Sequence, residues 1–276
     1  NGVAFTGSSE AAKKINLNLA NTNGPIKTLI AETGGQNVMF VDSSSLKEQV
    51  IDDIIRSAFL SAGQRCSALR VIYVQEEIAE EYWNYLNEAM QELEIGDPNE
   101  AHTDIGPIIN KLSLDKLNVH INDLKAKKEF IECKDDILVN GYFIKPVAFK
   151  IDNIAEIDGE KFGPILHFIS YKNEELDKII NEVNSTGFGL TMGVHSRITE
   201  KANKIFEKAK IGNFYLNRDI VGAVVGVQPF GGQGLSGTGP KAGGPNYLSS
   251  FVTEKTFTDN VMATGGNIDL LNKNNQ

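Results

Sequence analysis

The first thirty residues alternate between strand-like and helix-like segments, and this order constrains the fold more than any other feature of the sequence. Residues 2–6 are largely apolar and favour a strand, a Gly-Ser turn follows, and residues 8–20 have the pattern of a helix capped by serine. Residues 26–31 favour a second strand, which a Gly-Gly pair ends soon afterwards. A strand, a helix and a strand in this order predict a parallel α/β unit.

The same alternation continues to about residue 216. After a strand at 37–42, apolar residues recur every four positions from Leu46 to Ala62, which predicts an amphipathic helix that ends at Gly63. Further strands are predicted at 69–74, 142–149 and 165–171, and further helices at 76–95, 111–128, 173–184 and 198–210. From Asn217 to residue 244 the chain is rich in glycine, and residues 247–258 then favour a β-strand.

Size and charge narrow the class of function. A chain of 276 residues with 41% hydrophobic content can bury the core of one large domain or two ordinary ones. The formal charge of -9, without a block of consecutive Lys or Arg, argues against a nucleic-acid surface and favours small-molecule chemistry. The longest apolar run, at 220–227, is too short to cross a bilayer, so we expect no transmembrane segment.

The cysteines and histidines bear on compartment and metal binding. Cys66 and Cys133 lie far apart and no signal-peptide pattern opens the chain, which favours a reducing, cytoplasmic setting. The four histidines are not paired at i+3 or i+4 with each other or with a cysteine, so we expect no metal site. The chain begins at Asn1 without a start methionine, and we expect it to be a piece of a larger protein.

Two residues are candidates for catalysis on chemical grounds. Cys66 follows the end of a predicted helix and the cationic Arg65, a setting that favours the thiolate, although a cysteine is more often a small buried apolar residue. Cys133, in the charged segment IECKDD, is the weaker candidate. Glu32 ends a strand before two glycines, where a carboxylate overlooks the carboxyl edge of a sheet or is simply solvated. The residues alone leave both alternatives open.

The glycine-rich segment contains a deceptive pattern. Gly232, Gly234 and Gly237 match the G-x-G-x-x-G pattern of dinucleotide-binding turns, but Pro229 precedes them and Pro240 follows where a helix should begin. We therefore do not expect a Rossmann turn here. Such a loop can instead direct several backbone N–H groups at an anion, or be an ordinary surface loop.

Four motifs occur in the order found in aldehyde dehydrogenases, at Phe5–Ser8 (FTGS), Glu32–Gly35 (ETGG), Gly63–Cys66 (GQRC) and Glu160–Pro164 (EKFGP). Over essentially its whole length the chain resembles the aldehyde dehydrogenase superfamily, and within it the dehydrogenase part of the bifunctional proline-utilising enzymes. The spacing of 34 residues between Glu32 in the second motif and Cys66 in the third (66 − 32) is also similar to the family's.

The resemblance implies roles for these motifs. Cys66 would attack the aldehyde to give a thiohemiacetal, NAD would take the hydride, and Glu32 would activate the water that hydrolyses the thioester. Gly7 and Ser8 would meet the cofactor pyrophosphate at a helix N-terminus. Glu160 would bind the nicotinamide ribose and Phe162 would place the nicotinamide.

The resemblance also implies a substrate. The stretches AETGGQN, AGQRCSALR, VGAVVGVQPFGGQGLSGTGPKAGGP and TEKT are similar to enzymes that oxidise L-glutamate γ-semialdehyde, the open form of 1-pyrroline-5-carboxylate, to L-glutamate in proline catabolism. In such enzymes an anchor loop and the residue after the nucleophile hold the substrate carboxylate, with an aromatic side chain beside the aliphatic stem. The matching positions are Ser67, Gly243, Gly244 and Phe251.

By resemblance we expect an aldehyde dehydrogenase-like α/β fold in three parts. Residues 1–33 would be the C-terminal remainder of a Rossmann-type NAD-binding domain, 34–245 the catalytic domain with the anchor loop, and 246–276 a β oligomerisation strip and tail that supports a dimer. In the full-length family a flavin-containing proline dehydrogenase domain accompanies this part, so no FAD site is expected here. Any contact with the inner membrane would come through parts that this chain lacks.

The family's oxyanion-hole asparagine, its cofactor-binding lysine and the first half of its dinucleotide domain lie upstream of the turn that opens this chain. Loss of one oxyanion donor typically costs about 10² to 10³ in turnover. We therefore expect the isolated chain to be weakly active or inactive. Two alternatives stay open: an aldehyde dehydrogenase for another small aldehyde, and a truncated remnant that folds but no longer catalyses.

Overall fold

The computed structural model describes residues 2–137 and 140–260. The strands are β1 (Gly2–Thr6), β2 (Thr28–Glu32), β3 (Asn37–Val41), β4 (Leu69–Gln75), β5 (Phe130–Glu132), β6 (Val147–Lys150), β7 (Ile165–Tyr171), β8 (Phe188–Gly189), β9 (Thr191–His195), β10 (Asn213–Leu216) and β11 (Gln233–Gly234). The α-helices are α1 (Ser9–Ala20), α2 (Lys47–Phe59), α3 (Glu76–Met90), α4 (Lys111–Lys125), α5 (Leu176–Ser185) and α6 (Thr199–Lys208). Short 3₁₀ turns occupy Leu60–Gly63, Ile154–Glu156, Asn173–Glu175 and Leu248–Phe251.

A seven-stranded sheet in the order β10-β9-β3-β4-β7-β6-β5 organises most of the chain. All neighbouring pairs are parallel except β5 and β6. The central strands β3 and β4 are buried along their whole lengths, as expected for parallel strands covered on both faces. An aromatic cluster packs in this core, with Phe40 stacked on Tyr73 at 5.0 Å and both rings edge-on to Tyr171.

A second, two-stranded parallel sheet pairs β1 with β2 and is crossed by α1. Ser8 is the N-cap of α1, because its hydroxyl accepts a hydrogen bond from the Ala11 N–H at 3.2 Å. Beyond β2 the chain binds to the glycine-rich loop, since the Thr33 N–H donates to the Ser236 carbonyl at 2.9 Å. The carboxyl end of β2 therefore contacts the glycine-rich loop, and Glu32, the last residue of β2, bridges to Gly237 there.

Most predicted helices and strands are present, with a few instructive differences. The strand predicted at 142–149 begins only at Val147, because Pro146 has no N–H to give to a ladder. Strands β5, β9 and β10 were not predicted: they are short, and β9 has Gly193 at its centre. Strand β9 is buried along its whole length because β3 and β10 flank it, whereas β5 is partly exposed at one edge of the sheet.

The prediction of a β-strand at 247–258 is wrong. Residues 248–251 form a 3₁₀ turn, and in the described part of this strip, up to residue 260, there is no strand. These residues are mostly exposed, so no neighbouring strand is present to pair with them. The remainder of the predicted oligomerisation strip, 261–276, lies outside the described residues, and the domain divisions at 33 and 245 stay predictions. None of the described helices has the length and apolar character that a membrane span requires.

Candidate active site

A cavity of about 870 Å³ gathers residues from all four ordered motifs. Its volume is in the range of small-molecule and cofactor sites. The end of β1 and the start of α1 form one part of the wall, the Cys66 turn another, and the 223–243 loop a third. The lining residues are Thr6, Gly7, Ser8, Thr33, Gly34, Gln64, Arg65, Cys66, Ser67, Glu160, Phe162, Ala223, Val225, Gln228, Phe230, Ala242 and Gly243.

An unusual turn presents Cys66. After α2 the backbone is left-handed at Ser61, Ala62 and Gly63, with φ of 57°, 54° and 63°. A Cβ at Gly63 would lie 2.2 Å from the Gly163 carbonyl oxygen, so the GQRC glycine is required both for its φ and for close approach to the Glu160–Pro164 motif. Two of the predicted motifs are therefore packed backbone to backbone.

The backbone on both sides of Cys66 is held by a buried amide. The side-chain Nδ2 of Asn37 donates to the carbonyls of Cys66 at 2.7 Å and Ala68 at 2.8 Å, while its Oδ1 accepts from the Thr191 N–H at 3.1 Å. All the polar atoms of this amide are thus satisfied by backbone groups of the Cys66 turn and β9. Asn37, the first residue of β3, therefore joins the Cys66 turn to the start of β9 in the large sheet.

The Cys66 thiol is protonated at rest in this environment. Burial raises the pKa of Cys66, and the nearby Glu160 carboxylate raises it further, against the N–H of Ser67. Arg65 is not among the groups that act on this pKa, and its Nε donates to the Ser61 hydroxyl at 3.0 Å. Deprotonation of Cys66 consequently requires a change at Glu160 or an incoming group that takes the proton.

Arg70 is the site residue that the sequence reasoning missed. Its guanidinium is 1% exposed, donates to the carbonyls of Gly63, Gly163 and Arg65 at 2.8, 3.1 and 3.1 Å, and lies 3.5 Å from Glu160. The sequence predicts only a strand at 69–74, and the signal that could have found Arg70 is an arginine inside that apolar run. A buried arginine needs several partners.

Glu160 lies against the Glu32–Gly35 motif. Its Oε1 accepts from the Gly35 N–H at 3.2 Å, and a Cβ at Gly34 would come within 2.0 Å of its Oε2. Burial raises the pKa of Glu160, whereas the Arg70 charge lowers it. The third residue of the Glu160–Pro164 motif, Phe162, is 40% exposed on the cavity wall, with Arg70 Cζ 5.5 Å from its ring.

Glu32 is held by the glycine-rich loop. Its Oε2 accepts from the Gly232 N–H at 2.9 Å, while Oε1 is buried without a hydrogen-bond partner. Burial raises the pKa of Glu32 to about 7, against the Gly232 N–H and the charge of Lys241. A Cβ at Gly231 would lie 2.7 Å from Oε1, and one at Gly237 would lie 3.1 Å from either oxygen. Several loop glycines thus make room for this carboxylate.

The deceptive G-x-G-x-x-G segment does not begin a helix. Gln233 and Gly234 form β11, which pairs antiparallel with β8. The Thr238 N–H donates to the Ala31 carbonyl at 3.0 Å, and this hydrogen bond holds the segment against β2. The prediction that this is no Rossmann turn is confirmed.

The four candidate substrate residues are not all brought together. Ser67 and Gly243 line the cavity, and Gly243 has a φ of 73°. Gly244 lies outside the lining and its N–H donates to the Lys241 carbonyl at 2.9 Å. Phe251 packs beside Tyr247 at 6.1 Å and against Gly2, away from the cavity wall. Ser67 and Gly243 are therefore the better placed members of this set.

The candidate cofactor residues fit one portion of a dinucleotide. The N-terminus of α1, where free N–H groups favour a phosphate, opens into the same cavity as Glu160 and Phe162. The Gly7 N–H itself is engaged, since it donates to the Glu32 carbonyl at 3.1 Å, and the Ser8 hydroxyl caps the helix. Phosphate contacts would thus fall to the first turn of α1 rather than to the Gly7 amide.

Two histidines that are distant in sequence meet beneath the site. The Nε2 atoms of His120 and His167 are 2.9 Å apart, and His167 Nδ1 lies 2.8 Å from the Arg70 carbonyl oxygen. Because a carbonyl only accepts, His167 Nδ1 donates, its Nε2 accepts, and His120 donates. In the described residues no group of three metal-ligating side chains occurs.

Comparison with known proteins gives one consistent result. The model of the aldehyde dehydrogenase family matches residues 1–257. The bifunctional protein PutA of Klebsiella aerogenes is 47% identical over 264 residues, which are 92% of this chain and 20% of that protein.

Solved structures agree. Proline utilization A from Bradyrhizobium japonicum, solved as a point variant, matches with a TM-score of 0.90 and 48% identity over 96% of this chain and 27% of that one. A 1-pyrroline-5-carboxylate dehydrogenase from Thermus, solved with bound NAD, matches with a TM-score of 0.84 and 32% identity over 91% of this chain and 49% of that one. The predicted α/β fold is confirmed, and the chain spans about a fifth of the PutA relative and about half of the Thermus dehydrogenase.

Proposed function

Because the chain belongs to the aldehyde dehydrogenase family, we propose that it is the catalytic part of an NAD-dependent enzyme that oxidises L-glutamate γ-semialdehyde to L-glutamate in proline catabolism. One observation supports this most strongly: a single cavity is lined by a thiol, a helix N-terminus and a buried carboxylate, with a second carboxylate of pKa about 7 next to its wall. The names of the PutA and dehydrogenase relatives support the choice of substrate.

Cys66 is the proposed nucleophile. Its sulfur forms a bond to the aldehyde carbon and the carbonyl oxygen becomes an alkoxide or hydroxyl, which gives a thiohemiacetal. Because burial and Glu160 raise the pKa of Cys66, the thiol must lose its proton as it attacks. The Asn37 amide and the left-handed turn keep the sulfur at the cavity wall during this step.

The first turn of α1 would hold the pyrophosphate of NAD, and Glu160 with Phe162 would hold its nicotinamide end. Bound NAD would supply the hydride acceptor, which would allow the thiohemiacetal on Cys66 to be oxidised to a thioester. The contacts of Glu160 with Gly35 and Arg70 both use Oε1, so Oε2 is the oxygen that would bind the ribose hydroxyls.

Glu32 is the proposed general base for thioester hydrolysis. It takes a proton from water, the resulting hydroxide adds to the thioester carbon, and Cys66 leaves as the thiolate. A pKa of about 7 suits a base that works near neutral pH. The charge of Glu32 raises the pKa of Cys66. The unpartnered Oε1 of Glu32 is buried, so this oxygen must become accessible before it can take a proton from water.

The substrate carboxylate would bind at Ser67 and Gly243. Ser67 follows the nucleophile directly and lines the cavity with the left-handed Gly243. Arg65 lies on the same wall and adds positive charge. This arrangement favours an aldehyde with a distal carboxylate over an uncharged one of similar length.

The test is NADH formation from 1-pyrroline-5-carboxylate by a protein in which this chain is joined to an upstream dinucleotide-binding half. Cys66→Ala should abolish turnover, while Cys133→Ala is the matched control, because Cys133 is buried away from the cavity. Undiminished turnover in Cys66→Ala would contradict the proposal. Equal catalytic efficiency on propanal would contradict the choice of substrate but leave the chemistry standing.

A further inference from the structure

Lys241 lies behind the loop that holds the Glu32 carboxylate. A Cβ built on Gly231 would be 2.7 Å from Glu32 Oε1 and 3.2 Å from the Lys241 Cα, so Gly231 is wedged between the two residues. Resting on the proposed function of Glu32, we propose that Lys241 is a positioning residue for this base: it tethers the 231–241 loop and keeps the Glu32 carboxylate ionised on the Gly232 N–H.

The tether is made by the lysine side chain itself. Lys241 Nζ donates to the Gly212 carbonyl and, at 3.4 Å, to Asn213 Oδ1. Asn213 Oδ1 also accepts from the Gly231 N–H at 3.2 Å, and its Nδ2 donates to the Pro229 carbonyl at 3.0 Å. One amide at the start of β10 therefore binds the lysine and both ends of the turn before Gly232.

The loop also packs directly on the start of β10. A Cβ at Gly212 would lie 2.0 Å from the Gly231 carbonyl oxygen, so the two backbones are in contact. The next residue, Gly232, donates the hydrogen bond that Glu32 receives. If Lys241 moved away from Gly212, the adjacent Gly231 would also shift. The Gly232 N–H would then move away from the Glu32 carboxylate and weaken their hydrogen bond.

The charges around Glu32 give the lysine a second effect. Lys241 is the cation that lowers the pKa of Glu32, and Glu32 in turn raises that of Lys241 against burial. No direct ion pair joins the two side chains within the described residues, since Lys241 Nζ is bonded to Gly212 and Asn213, so the attraction acts across the loop. Cys66 is the other titratable group that is influenced by Glu32.

Loss of the lysine charge should leave burial opposed only by one N–H. The pKa of Glu32 would then rise above about 7, and a smaller fraction of the base would be ionised at neutral pH. We expect the titration midpoint of Glu32 to rise by about half a unit to one unit. This is less than the roughly 1 to 3 units that a charge at 4–6 Å produces, because no direct pair is made.

The first experiment follows the Glu32 carboxyl by difference infrared spectroscopy against pH, on the chain as it exists and without cofactor or substrate. The protonated C=O band is identified by its loss in Glu32→Gln. Lys241→Met should raise the band's midpoint by about half a unit to one unit, and Lys241→Arg should restore most of the original value. Lys208→Met is the control, since it removes a lysine paired with Asp177 on α5.

Two outcomes of this experiment would overturn the proposal: an unchanged midpoint in Lys241→Met, or the same shift in Lys208→Met. Circular dichroism and melting establish that each variant is folded. If Lys241→Met does not fold, Lys241→Gln serves instead, because an amide keeps a donor for Gly212 but removes the charge. A wild-type midpoint in that variant would overturn the electrostatic effect.

A kinetic experiment separates this inference from the proposed function. In the joined protein, Lys241→Met should keep the first burst of NADH and the KM for the aldehyde, while thioester hydrolysis near pH 7 falls about 3- to 10-fold and recovers at higher pH. Hydrolysis at the wild-type rate across pH would overturn the positioning of Glu32. Failure of the proposed function would show instead as no NADH from the unsubstituted protein, with the infrared midpoints still differing.

Discussion

The two sides of the cavity hold their reactive groups in different ways. Cys66 is fixed by buried side chains of the large sheet, with Arg70 and Asn37 both bonded to the backbone around it. Glu32 instead receives a single N–H from a glycine-rich loop and has one carboxylate oxygen without a partner. The difference teaches that the proposed nucleophile is held rigidly, while the proposed base is held by one hydrogen bond that it can exchange for water.

The largest effect on the rigid side is expected from Arg70. Arg70→Met would leave three backbone carbonyls without their donor and the buried Glu160 without its cation. We expect the free energy of unfolding to fall by about 3–5 kcal/mol, as when one partner of a buried pair is removed. Urea unfolding measures it, with the exposed Arg56→Met as control. A loss below about 1 kcal/mol would mean that Arg70 does not hold this turn.

The next effect concerns the turn glycine. Gly63→Ala combines a left-handed φ with a clash against the Gly163 carbonyl, and we expect a loss of about 2–4 kcal/mol. Gly159→Ala is a matched control with φ 65° and open space around its Cβ, where about 1 kcal/mol is expected. Thermal unfolding of both variants isolates the cost of the clash, and equal losses would show that backbone conformation alone matters.

Acid should affect the two sides with opposite sign. Burial lowers the pKa of His167 to about 3 and of His120 to about 4, so the unfolded chain binds more protons than the folded one below about 6.5. As pH decreases below about 6.5, each histidine therefore lowers the free energy of unfolding by up to about 1.4 kcal/mol per pH unit. Because the pKa of Glu32 is raised to about 7, this residue increases the free energy of unfolding as pH falls from 7 to about 4.5.

Variants separate these contributions in urea titrations between pH 7 and pH 5. His120→Gln keeps a donor for His167 and should make the acid loss shallower, whereas Glu32→Gln should make it steeper. The exposed His102→Gln is the control. The same slope in His120→Gln as in the unsubstituted chain would show that the histidine pair does not govern acid stability.

The smallest effect on stability is expected on the glycine side. Gly231→Ala places a Cβ against the end of the Glu32 side chain, which can move, and near the Lys241 backbone. We expect less than about 1 kcal/mol in unfolding free energy but about a tenfold slower thioester hydrolysis in the joined protein. Gly106→Ala, whose Cβ would make only ordinary contacts with Pro98 at 3.7 Å, is the control. A large loss of stability would mean that this side is as rigid as the other.

Local pattern predicted what depends on neighbours in sequence. The four-residue apolar repeat located α2, and the continuous apolar runs located β4 and β7, because buried parallel strands need such runs. Strand β9 was missed because Gly193 and the polar Thr191 weaken its pattern, while its position between β3 and β10 buries it completely. Strand β9 is therefore recognisable only from its pairing with β3 and β10, which are distant from it in sequence or not themselves predicted.

Some residues of the candidate site were likewise predicted from the sequence, while the positions of others depend on tertiary contacts. Resemblance of ordered motifs singled out Cys66, Glu32 and Glu160, and the structure places two of these on the cavity wall and Glu32 next to it. It did not predict that the Gly244 N–H is used by Lys241 or that Phe251 packs against Gly2. Those outcomes depend on how a long glycine-rich loop closes, and glycine's wide range of φ leaves that closure undetermined by local sequence.

The sequence by itself determined the α/β class, most of the elements and the family, because periodicity, stop signals and motif order are all local or ordered along one chain. Only the tertiary structure decided that Arg70 holds the Cys66 turn and that glycines surround Glu32. The hydrogen bond from Gly232 to Glu32 joins residues 200 positions apart, and that from Arg70 to Gly163 joins residues 93 apart. Contacts over such separations form when buried polar groups find partners in the packed chain, and no local pattern specifies which partners those are.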